Sequence, residues 1–241
     1  MLIAREFTEQ IAQQCEPLYQ LNESNVKLFW KNNPTKEQRI DFFGRRMINE
    51  RINCTELAQK ISKMSMDTNP EEMFLLSKQA HDEAKHFWFV KDILEDLMGE
   101  PADIEAIYKN IKESQERGEK GWMPAELLSK FECSEDPMAL AMYQYIAEGM
   151  AHRNWVAQSE CAPNDLIAQK YAEIAKDEKF HAQIGRMQLE KLIVDEDSLT
   201  KAKKISEEVI ELLWSLGRRQ NSEARCIKAH IPLSHYELNT L

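Results

Sequence analysis

The sequence contains few of the residues that make turns. Only seven of its 241 residues are glycine and eight are proline, so few turns are expected. The alternation of β-branched and aromatic residues that is typical of strands is absent. No segment is low in complexity, and no change in composition marks a linker. We therefore expect an all-α protein that forms a single domain over residues 1–241.

Long apolar runs are also missing. No run approaches the roughly 18 apolar residues that suggest a transmembrane helix, and 30% of all residues are charged. The N-terminal stretch already contains Glu6 and has no small-residue cleavage site after an apolar segment. We therefore predict neither a membrane span nor a signal peptide.

The cysteines do not form a recognisable framework. They are five in number, and no two of them form a CxxC pair, which argues against a disulfide framework and against a zinc site. Reduced thiols are typical of cytoplasmic proteins, so we expect that location. The net charge of −10 makes nucleic acids and anionic membranes unfavourable partners.

Helical segments make up most of the chain. Thr35 and Gln38 have the spacing of a capping box at a helix start, and Pro70 suits the first turn of another helix. Four long segments are joined pairwise by short turns, which predicts two helical hairpins and a four-helix bundle over about 35–193. The predicted bundle helices span 35–66, 70–98, 136–160 and 165–193, with flanking helices at 3–20 and 198–220, a shorter helix at 102–117 and a small one after Pro124.

The five-residue pattern Asp-Glu-x-x-His occurs twice, at 82–86 and at 177–181. Each copy lies midway along the second helix of a predicted hairpin. A glutamate and a histidine three positions apart lie on one face of a helix, so each copy could bind a metal ion. One such pair alone is more often a pair of surface residues, but two pairs in matching helices are much less expected by chance. The candidate ligands are Glu83 and His86 in the first copy and Glu178 and His181 in the second.

The predicted hairpins indicate where further carboxylates come from, because residues equidistant from a turn lie level in an antiparallel pair. Reflecting Glu178 through the turn at 161–165 gives residue 148, which is a glutamate. Glu148 is the lone acid of an otherwise apolar stretch, and such a carboxylate is costly to bury unless it is paired or binds a metal. Glu148 is therefore a fifth candidate ligand.

The first hairpin leaves two alternatives. Reflecting Glu83 through the turn at 67–70 reaches a point between Glu50 and Glu56. The offset is smaller for Glu56, so we predict Glu56 as the ligand from the first helix and keep Glu50 as the alternative. The residue that is not a ligand would be a solvated carboxylate or one that supports a ligand.

These residues resemble the ligand set of the ferritin-like di-iron carboxylate superfamily, and its oxygenase-type members more than its storage ferritins. The resemblance covers about 35–193 and implies a ferritin-like four-helix bundle with additional flanking helices. It also implies two bound iron ions, with manganese or a mixed pair as alternatives. The implied ligands are Glu56, Glu83 and His86 for one ion and Glu148, Glu178 and His181 for the other, with Glu83 and Glu178 bridging.

The aspartate of each repeated pattern acquires a role through the same resemblance. A histidine that binds a metal usually donates its other N–H group to a carboxylate or a carbonyl. In relatives with this pattern the aspartate of one helix supports the histidine of the other, so Asp177 would hold His86 and Asp82 would hold His181. The alternative is that both aspartates are exposed helix charges.

His152 is a candidate catalytic residue. It follows Glu148 by one helical turn and lies on the same face. In some bacterial multicomponent monooxygenases the matching position carries a threonine, so that role does not transfer directly. His152 could donate a proton, act as an extra ligand or be a histidine of the helix surface.

The resemblance implies an O2-dependent di-iron oxidoreductase of the monooxygenase or oxidase type. Such an enzyme would activate O2 to oxidise a small organic substrate and would receive electrons from a ferredoxin or a reductase. The alternative is an iron-handling protein, a ferroxidase or a storage module of the same class. A homodimer is compatible with the expected helical surfaces, and the sequence does not indicate the substrate.

Overall fold

The computed structural model of the protein describes residues 2–117, 131 and 136–229, with side chains as far as residue 221. Over these residues the chain is helical without strands, which confirms the predicted all-α class. No described helix combines the length and the apolar character that crossing a membrane requires. The helices are α1 (Leu2–Lys31), α2 (Lys36–Ser62), α3 (Pro70–Met98), α4 (Ile104–Glu116), α5 (Pro137–Tyr143), a π-helical segment (Gln144–Glu148), α6 (Gly149–Cys161), α7 (Asp165–Leu192) and α8 (Glu196–Ala229).

The starts of the bundle helices follow signals that are visible in the sequence. The Thr35 side chain accepts a hydrogen bond from the Gln38 backbone N–H, and the Gln38 side chain accepts one from the Thr35 N–H, which confirms the capping box. Pro70 opens α3, as predicted. That helix ends at Gly99, whose φ of 82° lies in the left-handed region that favours glycine.

Other helix ends differ from the prediction. Helix α1 continues past Pro17 to Lys31 instead of ending near residue 20. Its last turns are held by the C-terminal helix, because the Asn25 amide donates a hydrogen bond to the Gly217 carbonyl at 2.8 Å. Helix α8 in turn extends beyond residue 220. Helix α2 ends at Ser62 rather than at 66, and the small helix predicted after Pro124 lies outside the described residues.

The helices pack as two hairpins with a flanking pair. Helix α2 packs along α3, α6 packs along α7, and α3 contacts α7, while α1 and α8 pack on each other and against the second hairpin. Buried apolar side chains form two clusters, one among α1, α5, the π segment and α8, and one among α2, α3, α6 and α7. Along α7, Ala175 belongs to the second cluster and Leu189 to the first. The stretch of α7 that carries Glu178 and His181 therefore lies where the two clusters meet.

The π-helical segment packs unusually close to α7. A Cβ atom on Gly185 would lie only 2.5 Å from the Tyr145 backbone nitrogen and 2.7 Å from the Ala141 carbonyl oxygen, so glycine is needed for this approach. From the other side, the Tyr19 hydroxyl donates a hydrogen bond to the Ile146 carbonyl at 3.2 Å. Glu148 is the last residue of the segment. Its position therefore depends on a helix irregularity of the kind that often occurs at functional sites.

Candidate metal centre

Six acidic and histidine side chains from four helical elements meet inside the protein. All of them are nearly inaccessible to solvent, with between 0% and 6% of their surface exposed. Helix α2 contributes one residue, the π segment one, and α3 and α7 two each. The six residues are Glu50, Glu83, His86, Glu148, Glu178 and His181.

These side chains form two overlapping groups that could each hold a metal ion. One group is Glu50, Glu83, His86 and Glu178, and the other is Glu83, Glu148, Glu178 and His181. Within each group the potential ligand atoms all lie within 4.8 Å of one another. Both groups contain Glu83 and Glu178, the two glutamates that the resemblance implies as bridging ligands. The arrangement thus offers two adjacent cation positions with two shared carboxylates.

The carboxylate that α2 brings into these groups is Glu50, the alternative of the sequence analysis, and not the preferred Glu56. Glu56 lies nearly two turns further along α2 and is not a member of either group. The predicted reflection failed because α2 ends at Ser62. The loop between α2 and α3 is therefore centred near residue 66, and a reflection of Glu83 through that point falls beside Glu50. The other five predicted ligands are all brought together.

Each histidine is held by the aspartate of the other repeated pattern. The His86 Nε2 atom lies 3.2 Å from Asp177, and the His181 Nε2 atom lies 3.2 Å from Asp82. This is the crossed pairing that the resemblance implies. Since the Nε2 atoms face the aspartates, both Nδ1 atoms face the glutamate cluster. The aspartates thereby fix which nitrogen is offered to a metal.

Two lysines of α3 complete these networks. Lys78 forms an ion pair with Asp82, one turn further along the same helix. Lys85 pairs with Asp177 across to α7 at 2.6 Å. The pKa of Asp177 lies below its ordinary value because the hydrogen bonds with His86 and Lys85 outweigh the opposing effect of burial. Each aspartate therefore stays ionised while it accepts a hydrogen bond from its histidine.

The two glutamates contributed by α2 and by the π segment favour their protonated forms. Burial raises the pKa of Glu50 well above its ordinary value, and the charges of Glu83 and Glu178 raise it further. Burial also raises the pKa of Glu148, and the same two neighbouring charges add to the effect. Four carboxylates in one buried cluster repel each other, so two of them hold protons unless a cation compensates the charge.

The histidines also hold protons in the absence of a cation. Burial lowers the pKa of His86, but the Asp177 hydrogen bond and the charges of Glu83 and Glu178 outweigh it and raise the pKa to about 10. Burial likewise opposes protonation of His181, yet Asp82 and the glutamates raise its pKa well above the ordinary value. Metal binding requires neutral imidazoles and ionised carboxylates. A metal would therefore replace the protons that stabilise the cluster.

Two buried glutamines position Glu148, and sequence reasoning missed both of them. The Gln144 side-chain amide donates to Gln79 at 2.8 Å, and the Gln79 amide donates to Glu148 at 3.0 Å. The sequence contains a signal for both glutamines, because Gln144 lies in an apolar stretch and Gln79 precedes Glu83 by one turn on the same helix face. A buried amide on such a face needs a partner, and here the partner is a candidate ligand.

His152 lies near the centre without joining it. Its Nδ1 atom donates a hydrogen bond to the Ala175 carbonyl at 2.7 Å. Neither of the two ligand groups includes it. This contact ties α6 to α7 one turn before Glu178. It favours the interpretation of His152 as a structural residue over an extra ligand, and its catalytic role stays a prediction.

The donor atoms present fit a pair of divalent cations. The His86 Nδ1 atom is buried without a hydrogen bond in the described part of the chain. It lies 3.6 Å from Glu178 and 3.8 Å from Glu83, distances that are too long for hydrogen bonds but suit atoms surrounding a common ion. Carboxylates and imidazoles without thiolates suit iron and manganese. In the comparisons with known proteins, no family model, no curated protein and no solved structure matches this chain.

Proposed function

We propose that this chain is a non-haem di-iron oxidase of the ferritin-like class, which activates O2 to oxidise a small organic substrate. In this proposal α2, α3, the continuous helix of α5 to α6, and α7 form the four-helix bundle. The observation that carries the proposal is the pair of buried ligand groups that share Glu83 and Glu178. Two adjacent cation positions with shared carboxylates suit a reaction that needs two electrons at once.

The charge of the cluster favours two divalent ions over one. Four ionised glutamates and two neutral histidines carry four negative charges, which two divalent ions would balance. A single ion would leave two buried carboxylates uncompensated, and burying unpaired charge is costly. Iron is our choice for the pair, with manganese or a mixed pair compatible with the same donor atoms.

The bound irons would supply redox chemistry by delivering two electrons to O2. The protein's own residues hold and shield them. Asp82 and Asp177 orient the imidazoles, and Gln79 fixes Glu148 by its hydrogen bond. Burial of the ligands, which are 0% to 6% exposed, limits the access of bulk water. Insertion of one oxygen atom into a substrate would leave both irons oxidised, and two electrons from outside the protein would have to reduce them again in each turnover, so we propose a ferredoxin or a reductase as the donor.

The cavity beside the ligands supports an oxidase more than a storage module. A cavity that is partly open to solvent borders Glu50, Glu148 and Glu178. An organic molecule in that space would contact the ligands directly, whereas iron storage needs no such space.

The proposal is tested by loading the protein with Fe²⁺ without oxygen and then adding O2. We expect two irons per chain, O2 uptake that saturates at that loading, and no further iron uptake when Fe²⁺ is in large excess. A Glu148→Gln variant should lose most of the O2 uptake. A Glu160→Gln variant, changed at an exposed position near the end of α6, is the matched control and should keep it.

Two results would contradict the oxidase. Continued oxidation of many irons per chain by a large cage-like assembly, measured by light scattering, would favour the iron-handling alternative. Failure to bind any transition metal under these conditions would contradict the proposed metal centre itself.

A further inference from the structure

The cavity next to the ligand cluster has polar wall residues that belong to neither ligand group. It is bordered on one side by Glu50, Glu148 and Glu178 and elsewhere by side chains of α2, α5, the π segment, α6 and α8. Its wall combines a cation and amides with aromatic and small apolar side chains. The residues that matter here are Arg46, Asn49, Asn53, Asn154, Trp155 and Met150.

Arg46 brings a cation to this wall without a hydrogen-bonding partner. Its guanidinium lies over the Trp155 ring at 5.1 Å and over the Phe42 ring at 5.7 Å. Within the described residues it makes no hydrogen bond and no ion pair. An arginine side chain has five N–H donors and stays charged in proteins. The two rings hold the guanidinium in place, and its N–H donors remain available for a ligand.

Two asparagines on the same wall have unused acceptors. The Oδ1 atoms of Asn53 and Asn154 are buried without a hydrogen bond in the described part of the protein. Asn154 is 3% exposed and Asn53 is 9% exposed. The Asn53 amide donates to Glu83 at 3.4 Å, which leaves its oxygen for another partner. Buried amides in folded proteins are normally satisfied, so unused oxygens in a cavity wall indicate a ligand that donates hydrogen bonds.

The charge balance explains why this wall would favour an anion. The glutamates that border the cavity, Glu50, Glu148 and Glu178, belong to the two candidate ligand groups. Two divalent ions bound there would balance their charge, so these carboxylates would not serve as counter-ions for Arg46. A buried cation without a counter-ion is unfavourable, and an anion entering the cavity would supply one.

We propose that the cavity binds a small organic carboxylate that also carries a hydrogen-bond donor, such as a hydroxy or amino acid with an apolar body. The carboxylate pairs with Arg46, and the donor reaches the oxygens of Asn53 and Asn154. The apolar body packs on Trp155 and Met150. As a substrate class this rests on the proposed oxidase function, because the cavity borders the ligands of the proposed metals.

The test compares acids with their neutral amides. Protein loaded with Fe²⁺ under anaerobic conditions is titrated calorimetrically with 4-hydroxybenzoate, 6-hydroxyhexanoate and the corresponding two amides. A charge-assisted pair predicts that at least one acid binds roughly 10- to 100-fold more tightly than its amide. The iron content of the same samples is measured in parallel.

Substitution of Arg46 separates its role from direct binding to iron. In Arg46→Gln the preference for the acid should disappear while the iron content stays at two per chain. Arg45→Gln removes the same charge from the neighbouring position, which is not part of the cavity wall, and should keep the preference. If Arg46→Gln does not fold, Arg46→Lys retains the cation without the planar fork, and it should bind the acid less tightly than wild type does.

The outcomes distinguish this inference from the proposed function. Bound iron with equal affinity for acids and amides, or an acid preference that survives in Arg46→Gln, would overturn the inference and leave the oxidase standing. If the protein binds no iron after loading but still prefers the acid in a way that depends on Arg46, the result would support the binding site and overturn the oxidase. Absence of both iron and acid binding would overturn both.

Discussion

The two sides of the ligand cluster differ in how fully their polar groups are satisfied. The histidine side consists of His86, His181, Asp82, Asp177, Lys78 and Lys85. There every imidazole has its aspartate and every aspartate its lysine, and His86 Nδ1, which has no hydrogen bond among the described residues, faces the cation positions. The cavity side consists of Arg46, Asn53 and Asn154. In the part of the chain that the structure describes, its cation makes no ion pair and neither of its two amide oxygens accepts a hydrogen bond.

This difference indicates what each side does. A satisfied buried network rigidifies its members, which suits ligands that must keep a fixed geometry around a metal. Unused donors and acceptors leave room for a molecule that enters and departs. In our proposal the histidine side supports the metals, and the cavity side accepts the molecule on which they would act.

The largest expected effect comes from removing a carboxylate that both ligand groups share. Glu83→Ala should abolish binding of both irons, because each cation position loses a ligand and the Asn53 amide loses its acceptor. Asp96→Ala removes an exposed carboxylate from the same helix and should keep both irons. Iron content after anaerobic loading measures the difference. Retention of even one tightly bound iron in Glu83→Ala would contradict the shared role.

A smaller effect is expected on the histidine side. Asp82→Asn and Asp177→Asn should each weaken metal affinity by roughly 10- to 100-fold, since such supporting partners orient the ligands and raise their basicity. Asn154→Ala on the cavity side should leave metal affinity within about twofold, because no hydrogen bond among the described residues links Asn154 to a ligand group. Competition with a chelator of known affinity measures all three. Equal weakening in the three variants would erase the distinction between the two sides.

The next prediction concerns the stability of the protein at the close contact between α7 and the π segment. Gly185→Ala places a methyl group 2.5 Å from the Tyr145 backbone nitrogen. Overpacking of this kind should lower the free energy of unfolding by about 1–3 kcal/mol and displace Glu148. In Gly149→Ala the added methyl group meets the Tyr19 hydroxyl instead. That hydroxyl belongs to a side chain that can move, so the free energy of unfolding should fall by less. Urea unfolding of the two variants tests this order, and an equal loss of stability in both would refute it.

The last expected effect is a pH dependence that metal should remove. In the metal-free protein the pKa of His86 is raised to about 10 from an ordinary value of 6.5. The stability this gives is fully present below pH 6.5 and is lost as pH rises towards 10. The raised pKa values of Glu50 and Glu148 act in the same direction. The melting temperature of metal-free protein should therefore fall between pH 6.5 and 9.

The metal-loaded protein should not show this fall, because its histidines are neutral and its glutamates ionised throughout that range. Thermal unfolding of both forms in a series of buffers makes the comparison. A metal-free protein whose melting temperature rises with pH over this range would contradict the assigned protonation.

Much of the site follows from local rules that operate within a helix or a short turn. The Glu-x-x-His spacing fixes two ligands on one helix face, and the short turn after α6 fixes Glu148 opposite Glu178. Glu50 was ranked behind Glu56 because the loop after Ser62 begins earlier than its sequence indicates. An error of a few residues in a helix end moves the level of every residue in the facing helix.

The cavity side could not be predicted for a different reason. Arg46 stands in an amphipathic helix beside Arg45, where a pair of arginines is typical of a solvated surface. Its position over Trp155 depends on how α2 meets α6, more than a hundred residues later in the chain. The π segment likewise depends on the contact with Gly185. Such features come from packing between distant segments, which spacing along one helix does not encode.

The most direct test of the central claim is the iron content of wild type, Glu50→Gln and Glu56→Gln after anaerobic loading with Fe²⁺. The two variants remove the same charge from the same helix. The proposed metal centre predicts two irons per chain in wild type and in Glu56→Gln, with loss of at least one iron in Glu50→Gln. Loss of iron in Glu56→Gln but not in Glu50→Gln, or a wild type without bound iron, would contradict the proposed metal centre.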